Sequence, residues 1–162
     1  MFIVSPSFPL VGGNVAHSPT LSYCAEEVRR SDRDRFIMTL FAPSERREAL
    51  FALYAFNIEI SKTREVVSEA MLGAIRLQWW RDSVDTLYSD VPLRKHTVME
   101  ALDPFVTAHQ LSRDHFDRLI DGRLIDLEEV PHPTSASLIE YADATSGALV
   151  RLSMEVLGGT KS

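Results

Sequence analysis

The sequence lacks several features that usually reveal a function. Cys24 is its only cysteine, which excludes an internal disulfide and a metal site built from several cysteines, and we expect it to be a small buried hydrophobic residue. Lys and Arg number 17 against 23 Asp and Glu, giving a net charge of −6, so nonspecific binding to nucleic acid or anionic lipid is not expected. The sequence also has no Gly-rich phosphate loop, no Cys/His metal spacing and no Gly-x-Ser-x-Gly motif.

The N-terminal stretch MFIVSPSFPLVGGNVAH contains no Lys or Arg, and Pro6 and Pro9 interrupt its apolar residues. This composition argues against a secretory signal and against a membrane-spanning helix. We therefore predict that residues 1–19 form a loose N-terminal extension. A single cysteine also fits a reducing compartment. We expect a cytoplasmic protein, or one on the matrix side of the mitochondrion in a eukaryote.

Residues 20–162 are dominated by helical signals and are predicted to form one domain. The chain is 45% hydrophobic and 25% charged, which is enough for a single core. Pro43 is expected to end the first helix, Pro131 and Pro133 to break the chain, and Gly158 with Gly159 to end the last helix. Six helices in short-loop order predict an all-α bundle. Their predicted starts lie at or beside Thr20, Ser44, Ser68, Lys95, Ser112 and either Thr134 or Ser135.

Two of these helices carry patterns that predict their surroundings. The second is apolar all round from Ala49 to Ile60, except for Asn57 and Glu59, which predicts enclosure by other helices. The third has two apolar stripes, which predict two neighbouring elements. The first stripe is Leu77, Trp80, Val84 and Leu87, and the second is Leu72, Ile75 and Trp79.

The second helix turns abruptly polar at the stretch SKTRE, residues 61–65. Tyr54, Ile58, Ser61 and Glu65 are spaced 4, 3 and 4 apart and are predicted to line one stripe of that helix. Glu65 is the only carboxylate of the four, so the stripe alone is a poor Mg²⁺ site. Lys62 and Arg64 fall elsewhere on the helix and are expected to form surface or interhelix ion pairs of small energetic value.

A second candidate site lies in the helix that follows Ser112. Asp117 and Asp121 are four residues apart, a spacing that can hold Mg²⁺ on one helix face. They lie at the edge of the apolar stripe, however, so a solvated face is the favoured interpretation. Asp126 is the stronger candidate, because the helix could turn inward past Gly122, which has no side chain.

The order of the motifs resembles the N-terminal part of the squalene/phytoene synthase family, from about Leu21 to Gly158. The motifs are SYC, FAPSERREALFALYAF, IRLQWW, FDRLIDGRLIDLEE and LIEYADATSGALVRLSMEVLG. The resemblance implies an all-α isoprenoid-synthase bundle, of which residues 20–162 would be about the N-terminal half. It also implies head-to-head condensation of two prenyl diphosphates with Mg²⁺.

Only some of the functional residues that the resemblance implies are present at the corresponding positions of this chain. The family's Asp-Asp-x-x-Asp motif falls on Ser61, Lys62 and Glu65, so two of its three acidic positions are lost. An Arg that helps hold diphosphate falls on Ile58, and a frequent His falls on Ser31. The second Asp-rich motif of the family would lie beyond residue 162. Retained positions are Tyr54, Gly122, Asp126, Tyr141 and Gly147.

We take the candidate pocket residues from both arguments, and we assign no catalytic residue. They are Tyr54, Ile58, Ser61, Glu65, Gly122 and Asp126. Glu65 and Asp126 would be metal ligands only if the chain were an active enzyme. The segments AFNIEISKTREVVSE and MLGAIRLQWWRDSVDTLY most resemble a divergent branch of the family. This branch includes an assembly factor of mitochondrial respiratory complex I and its bacterial relatives.

Three hypotheses follow. The favoured one is a noncatalytic binding or assembly protein without a cofactor. Its partner would be a protein or a second copy, bound through an apolar face exposed where C-terminal helices are missing. A prenyl lipid or diphosphate in the pocket and peripheral contact with a membrane are further options. The second hypothesis is a Mg²⁺-dependent prenyltransferase with altered metal geometry or a second polypeptide, and the third is a gene fragment without function.

Overall fold

The computed structural model describes residues 20–128 and 134–159, and all regular secondary structure in these ranges is helical. The fold is all-α, as predicted. The α-helices are α1 Tyr23–Ser31, α2 Arg33–Thr39, α3 Ser44–Ser61, α4 Thr63–Val66, α5 Ala70–Leu87, α6 Thr97–Ala108, α7 Arg113–Ile125, α8 Ser135–Ala142 and α9 Ala148–Leu157. A π-helical turn, Asp143–Gly147, joins α8 to α9. The predicted extension 1–19 and the Pro131–Pro133 break lie outside the described residues.

The first predicted helix is two helices, and Asp32 separates them. Its backbone, at φ −146° and ψ 75°, leaves the helical region. The Asp32 N–H donates to the Val28 carbonyl, whereas its carboxylate accepts from the Arg35 N–H. Asp32 therefore ends α1 and begins α2, because a short Asp side chain can satisfy nearby backbone groups outside a helix. The prediction of one helix ending at Pro43 is wrong, since α2 ends at Thr39.

The other predicted helix starts are right to within one or two residues. Pro43 rather than Ser44 is the N-cap of α3, and Glu69 precedes α5. Ser112 is the N-cap of α7, as predicted. Thr134 rather than Ser135 caps α8, accepting a hydrogen bond from the Ser137 N–H at 3.1 Å.

The last predicted helix contains the π-helical turn that its apolar spacing did not indicate. The Thr145 hydroxyl donates to the Tyr141 carbonyl at 2.8 Å. A Cβ atom on Gly122 would lie only 2.7 Å from Cγ2 of Thr145, so α7 and this turn pack closely through the glycine. Gly158 ends α9 in the left-handed conformation at φ 88°, as predicted.

α3 lies at the centre of the described helices and packs against α1, α2, α6, α7 and α9. Phe56 on α3 forms edge-to-face ring contacts with Trp80 of α5 and Phe116 of α7, at centroid distances of 5.5 and 5.3 Å. The predicted enclosure of this helix is thus confirmed. Cys24 of α1 is 2% exposed, and burial raises the pKa of its thiol to about 11, as expected of a buried hydrophobic residue.

The two apolar stripes of α5 have different surroundings. The stripe of Leu77, Trp80, Val84 and Leu87 is buried in the core. In the second stripe Leu72 is 48% and Ile75 is 60% exposed, and only Trp79 packs against core residues. α5 packs against α4, α6 and α7, so it has more than the two predicted neighbours, but Leu72 and Ile75 of its second stripe stay largely uncovered by the described residues.

None of the described helices is long and apolar enough to cross a membrane.

Candidate functional site

α3 ends inside the polar SKTRE stretch, so the residues predicted to line one face of a single helix lie on two helices. The Ser61 hydroxyl donates to the Ile58 carbonyl at 2.9 Å, and the Lys62 N–H donates to the same carbonyl at 3.1 Å. A new short helix, α4, begins at Thr63. The predicted stripe is therefore interrupted: Ser61 ends α3, whereas Glu65 lies on α4 and is exposed.

Lys62 is the centre of a chain of alternating charges that joins three helices. Its ammonium contacts the Glu27 carboxylate of α1 and lies 3.9 Å from Oε1 of Glu59 on α3. Arg30 lies 2.5 Å from the other oxygen of Glu27, and Arg76 of α5 lies 3.4 Å from Oε2 of Glu59. We call these five residues the ionic chain. Lys62 forms an interhelix ion pair, as expected.

Glu27 is the most deeply buried member of the ionic chain, with a side chain only 5% exposed. Burial raises the pKa of its carboxyl group, but hydrogen bonds from Lys62 and Ser31 and the charges of Lys62 and Arg30 outweigh burial and lower it overall. A buried carboxylate needs such partners to remain ionised. The Ser31 hydroxyl lies 3.1 Å from Oε1 of Glu27.

The sequence prediction missed Glu27 and Glu59. Glu27 falls on the buried face of α1, next to Cys24 and Val28, and a carboxylate on an apolar helix face is a signal that could have identified it. Its partner Lys62 is 35 residues away in the chain. No local pattern could have paired the two.

The family resemblance implies Mg²⁺ at the end of α3, and the residues there do not fit that ion. Lys62 is itself a cation bound to Glu27, and the Ser61 hydroxyl is engaged with a backbone carbonyl. Glu65 lies beyond the helix break and is exposed. Octahedral Mg²⁺ requires several oxygen ligands around one point, which these three positions do not supply.

A second polar cluster lies where α3, α7 and α8 meet. One nitrogen of the Arg123 guanidinium donates to the Tyr141 hydroxyl at 2.9 Å and lies 3.4 Å from Asp126, whereas the other donates to Asn57 Oδ1 at 3.4 Å. Burial raises the pKa of Tyr141, and its hydrogen bond with Asp126 adds to this effect. Asp126 thus forms an ion pair with Arg123, a residue that the sequence prediction did not select.

Three of the remaining predicted pocket residues make hydrogen-bond or packing contacts within the helical bundle. Tyr54 accepts a hydrogen bond from the Ser153 hydroxyl at 3.3 Å, and the Arg35 guanidinium carbon lies 5.7 Å from its ring centroid. Ile58 is buried in the core. Gly122 provides close packing of α7 against the π-helical turn. The structure does not bring Glu65 together with Asp126 through any described contact, and the role of these residues as a pocket stays a prediction.

The Asp117–Asp121 pair contacts Arg81 of α5. Arg81 lies 3.6 Å from Asp117 and 2.5 Å from Asp121. Asp117 also lies 3.4 Å from Arg113 on its own helix. Asp121 is exposed, as the solvated-face interpretation expects, and the pair serves as an ion bridge between α5 and α7. Within the described residues, no three His, Cys, Asp or Glu side chains are grouped so that they could hold a metal ion.

Comparisons with known proteins agree with the motif order. A family model described as squalene/phytoene synthase matches residues 28–162. The NADH dehydrogenase (ubiquinone) complex I assembly factor 6 of Bos taurus is 34% identical over 91% of this chain and 44% of that protein. The Homo sapiens assembly factor 6 is 32% identical over 84% of this chain and 40% of that protein.

A presqualene diphosphate synthase of Sinorhizobium fredii is 31% identical over 72% of this chain and 41% of that protein. The chain thus spans about two fifths of the length of the curated relatives it matches. No solved structure matches the chain significantly. The match over residues 28–162, together with these relatives, shows that the chain belongs to the squalene/phytoene synthase family.

Proposed function

We propose that this chain is a binding or assembly protein on a prenyl-synthase-type bundle, with a role resembling respiratory complex I assembly and without prenyl-transfer activity. The observation that carries the proposal is the Lys62–Glu27 ion pair, which stands where the family resemblance places metal-binding carboxylates. The relatives named as complex I assembly factors support the assembly role.

The electrostatics of the ionic chain are the physical argument against catalysis. Metal-dependent loss of diphosphate needs carboxylates that hold cations against the leaving group. Here Glu27 already binds Lys62, and Glu59 lies between Lys62 and Arg76. To bind Glu27, a Mg²⁺ ion would have to displace the Lys62 ammonium, which is part of the chain itself, from a buried carboxylate. The ion pairs therefore favour a stable junction between the helices rather than a site that binds and releases metal ions.

Exposed apolar side chains support a protein partner. On α5, Met71, Leu72 and Ile75 are exposed, and on α9 Val150, Met154 and Leu157 form a second exposed apolar stripe. Apolar stripes of this kind are typical of surfaces that bind another protein or a second copy. In this proposal the protein acts in the cytoplasm, or in the mitochondrial matrix if it is eukaryotic.

The enzymatic part of the proposal is tested with farnesyl or geranylgeranyl diphosphate and Mg²⁺, by measuring the release of diphosphate. We expect no release above the uncatalysed rate. Release that disappears in Glu65→Ala and Asp126→Ala would overturn the noncatalytic assignment. Ser44→Ala is a suitable control variant, because Ser44 is exposed at the opposite end of α3.

The assembly part is tested by deleting the gene in its own organism and measuring complex I on native gels. We expect less mature complex and an accumulation of intermediates, both restored by the wild-type gene. Normal complex I in the deletion strain would contradict the assembly role.

A head-to-head prenyltransferase is the second candidate. The similarity to presqualene diphosphate synthases favours it, as does the retention of Tyr54, Glu65 and Asp126 at positions that the family resemblance singles out. Such activity would need the missing metal ligands from another polypeptide or segment. The same diphosphate-release assay separates the two candidates.

A further inference from the structure

We propose that a surface pocket on α5 binds a segment of a partner protein in which apolar side chains lie next to carboxylates. The inference rests on the proposed binding role, because it names the chemistry of the partner that this role requires. The pocket has a volume of about 460 Å³ and is formed by α5 and the N-cap residue of α6. Its walls are Leu72, Ile75, Arg76, Trp79, Trp80 and His96.

The apolar wall of the pocket continues along α5 as an exposed strip. Leu72 is 48% and Ile75 is 60% exposed, and Met71, just outside the pocket, is 69% exposed. From Met71 to Trp79 the helix rises about 12 Å, which matches about two turns of a partner helix. Because the strip extends beyond the pocket, it favours a partner segment with several apolar side chains.

The polar groups that line the pocket are N–H donors. The Arg76 guanidinium makes one long contact, 3.4 Å from Oε2 of Glu59, and its buried Nε has no hydrogen-bond partner among the described residues. The buried Nε1 of Trp80 likewise has no described partner. His96 Nδ1 accepts from the Val98 N–H at 3.2 Å, so the hydrogen of the neutral ring is on Nε2. The lining side chains therefore offer donors without a free acceptor, and a ligand must supply the acceptor atoms.

The cations around the pocket favour a carboxylate as that acceptor. The Arg94 guanidinium lies over the Trp79 ring, 5.9 Å from its centroid, and 3.1 Å from Asp82. Lys95, next in the chain, is exposed and forms no described ion pair. A carboxylate can also accept two parallel hydrogen bonds from a guanidinium such as that of Arg76. A protein segment with Asp or Glu beside its apolar side chains thus covers the strip and pairs the donors.

A second copy of the chain can cover the strip but cannot pair the donors. In a symmetric contact each strip faces the same strip of the other copy, so donors and cations of the same kind come together. Such self-association covers Leu72 and Ile75 and leaves Arg76 without an acceptor. An acidic partner segment therefore binds this surface more tightly than a second copy does.

The test uses the two tryptophans of the chain as reporters, because both line the pocket. The probes are three helical peptides without tryptophan, with Leu at every third or fourth position and with either Glu, Gln or Lys at the positions between. We expect the Glu peptide to shift the tryptophan emission and to bind about tenfold more tightly than the Gln peptide. The Lys peptide should not bind, and added salt should weaken binding of the Glu peptide.

Two variants assign the binding to this pocket. Arg76→Gln removes the charged donor, so it should weaken binding of the Glu peptide about tenfold and leave that of the Gln peptide unchanged. Ile75→Ser removes an apolar contact and should weaken binding of both peptides. Arg81→Gln is the matched control and should bind like wild type. It makes the same substitution on α5 at a side chain that instead contacts Asp117 and Asp121 of α7.

The inference is overturned if the Lys peptide binds as tightly as the Glu peptide, or if the bound Glu peptide leaves the tryptophan emission unchanged. Wild-type affinity of Arg76→Gln for the Glu peptide would also overturn it. If Arg76→Gln does not fold, the three peptides on wild type and the exposed-site variant Ile75→Ser still decide the question.

Decanoate, a free apolar carboxylate, is the competing ligand. Tighter binding of decanoate than of the Glu peptide would assign the pocket to a small molecule and contradict a protein partner. These measurements use the purified chain without complex I. Their failure is therefore distinguishable from normal complex I in the deletion strain, which would contradict the assembly role itself.

Discussion

Single residues decide how tightly the helices of this protein approach one another. At the ionic chain, Glu27 is buried, and Lys62, Ser31 and Arg30 together stabilise its charged form. Removing one member of such a pair costs more than replacing both, since a lone buried charge remains. Gly122 matters for a steric reason: it has no side chain, so α7 can pack closely against the π-helical turn at this position.

We predict that Gly122→Ala destabilises the fold. The new Cβ would lie 2.7 Å from Cγ2 of Thr145 and 3.3 Å from Cβ of Ala144, so α7 or the turn must shift. The expected loss is about 1–3 kcal/mol in the free energy of unfolding, measured by urea denaturation.

The matched control is the double variant Gly122→Ala with Thr145→Ser. Serine lacks Cγ2 but keeps the hydroxyl that donates to the Tyr141 carbonyl. The double variant should therefore recover part of the lost stability. Equal stability of Gly122→Ala and wild type would contradict the prediction, because it would show that a Cβ atom fits at this contact without cost.

Helix ends are set by both local and tertiary interactions. Ser112 occupies the N-cap position of α7, but its hydroxyl binds Glu155 of α9 at 2.5 Å instead of its own helix. The Ser112 N–H donates to the same carboxylate at 2.8 Å. Thr134, in contrast, caps α8 locally and forms a reciprocal capping box with Ser137. The two caps should therefore respond differently to substitution.

Thr134→Ala should lower the free energy of unfolding by about 1 kcal/mol, because the first turn of α8 loses its side-chain acceptor. Ser135→Ala is the control, since Ser135 is the next residue, is exposed and makes no described cap bond. Urea denaturation of both variants measures the difference. A larger effect at Ser135 than at Thr134 would contradict the assignment of the cap.

The whole molecule combines an enclosed central helix with apolar stripes on its surface. α3 is enclosed by other helices, as its sequence predicted, whereas Leu72 and Ile75 of α5 are largely exposed. Burying such side chains typically contributes about 1.5–3 kcal/mol each, so the uncovered stripe favours association.

We expect the wild-type protein to show a molar mass that rises with concentration in size-exclusion chromatography with light scattering. Ile75→Glu should move this equilibrium toward the monomer while leaving helicity unchanged, because a charge on the exposed stripe opposes burial. Gln78→Glu adds the same charge at another exposed position of α5 and should have a smaller effect. A wild-type protein that is monomeric at all concentrations would contradict self-association through this stripe.

The sequence by itself determined the all-α class, the enclosure of α3, the end of α9 at Gly158, the start of α8 at Thr134 or Ser135, and the family. These features depend on helical periodicity, capping and the order of motifs, which are local and can be read along the chain. The sequence also indicated that SKTRE is where a metal motif would be expected and that its carboxylates are mostly lost.

Only the tertiary structure decided what replaces them. The Glu27–Lys62 pair spans 35 residues, and the Arg123 contact with Asn57 spans 66. Pairing at such separations depends on how helices pack, which no local pattern specifies. The division at Asp32 and the break after Ser61 involve side-chain hydrogen bonds to nearby backbone groups. How much of the second α5 stripe is covered depends on which helices pack against it, and this too is settled only in the folded chain.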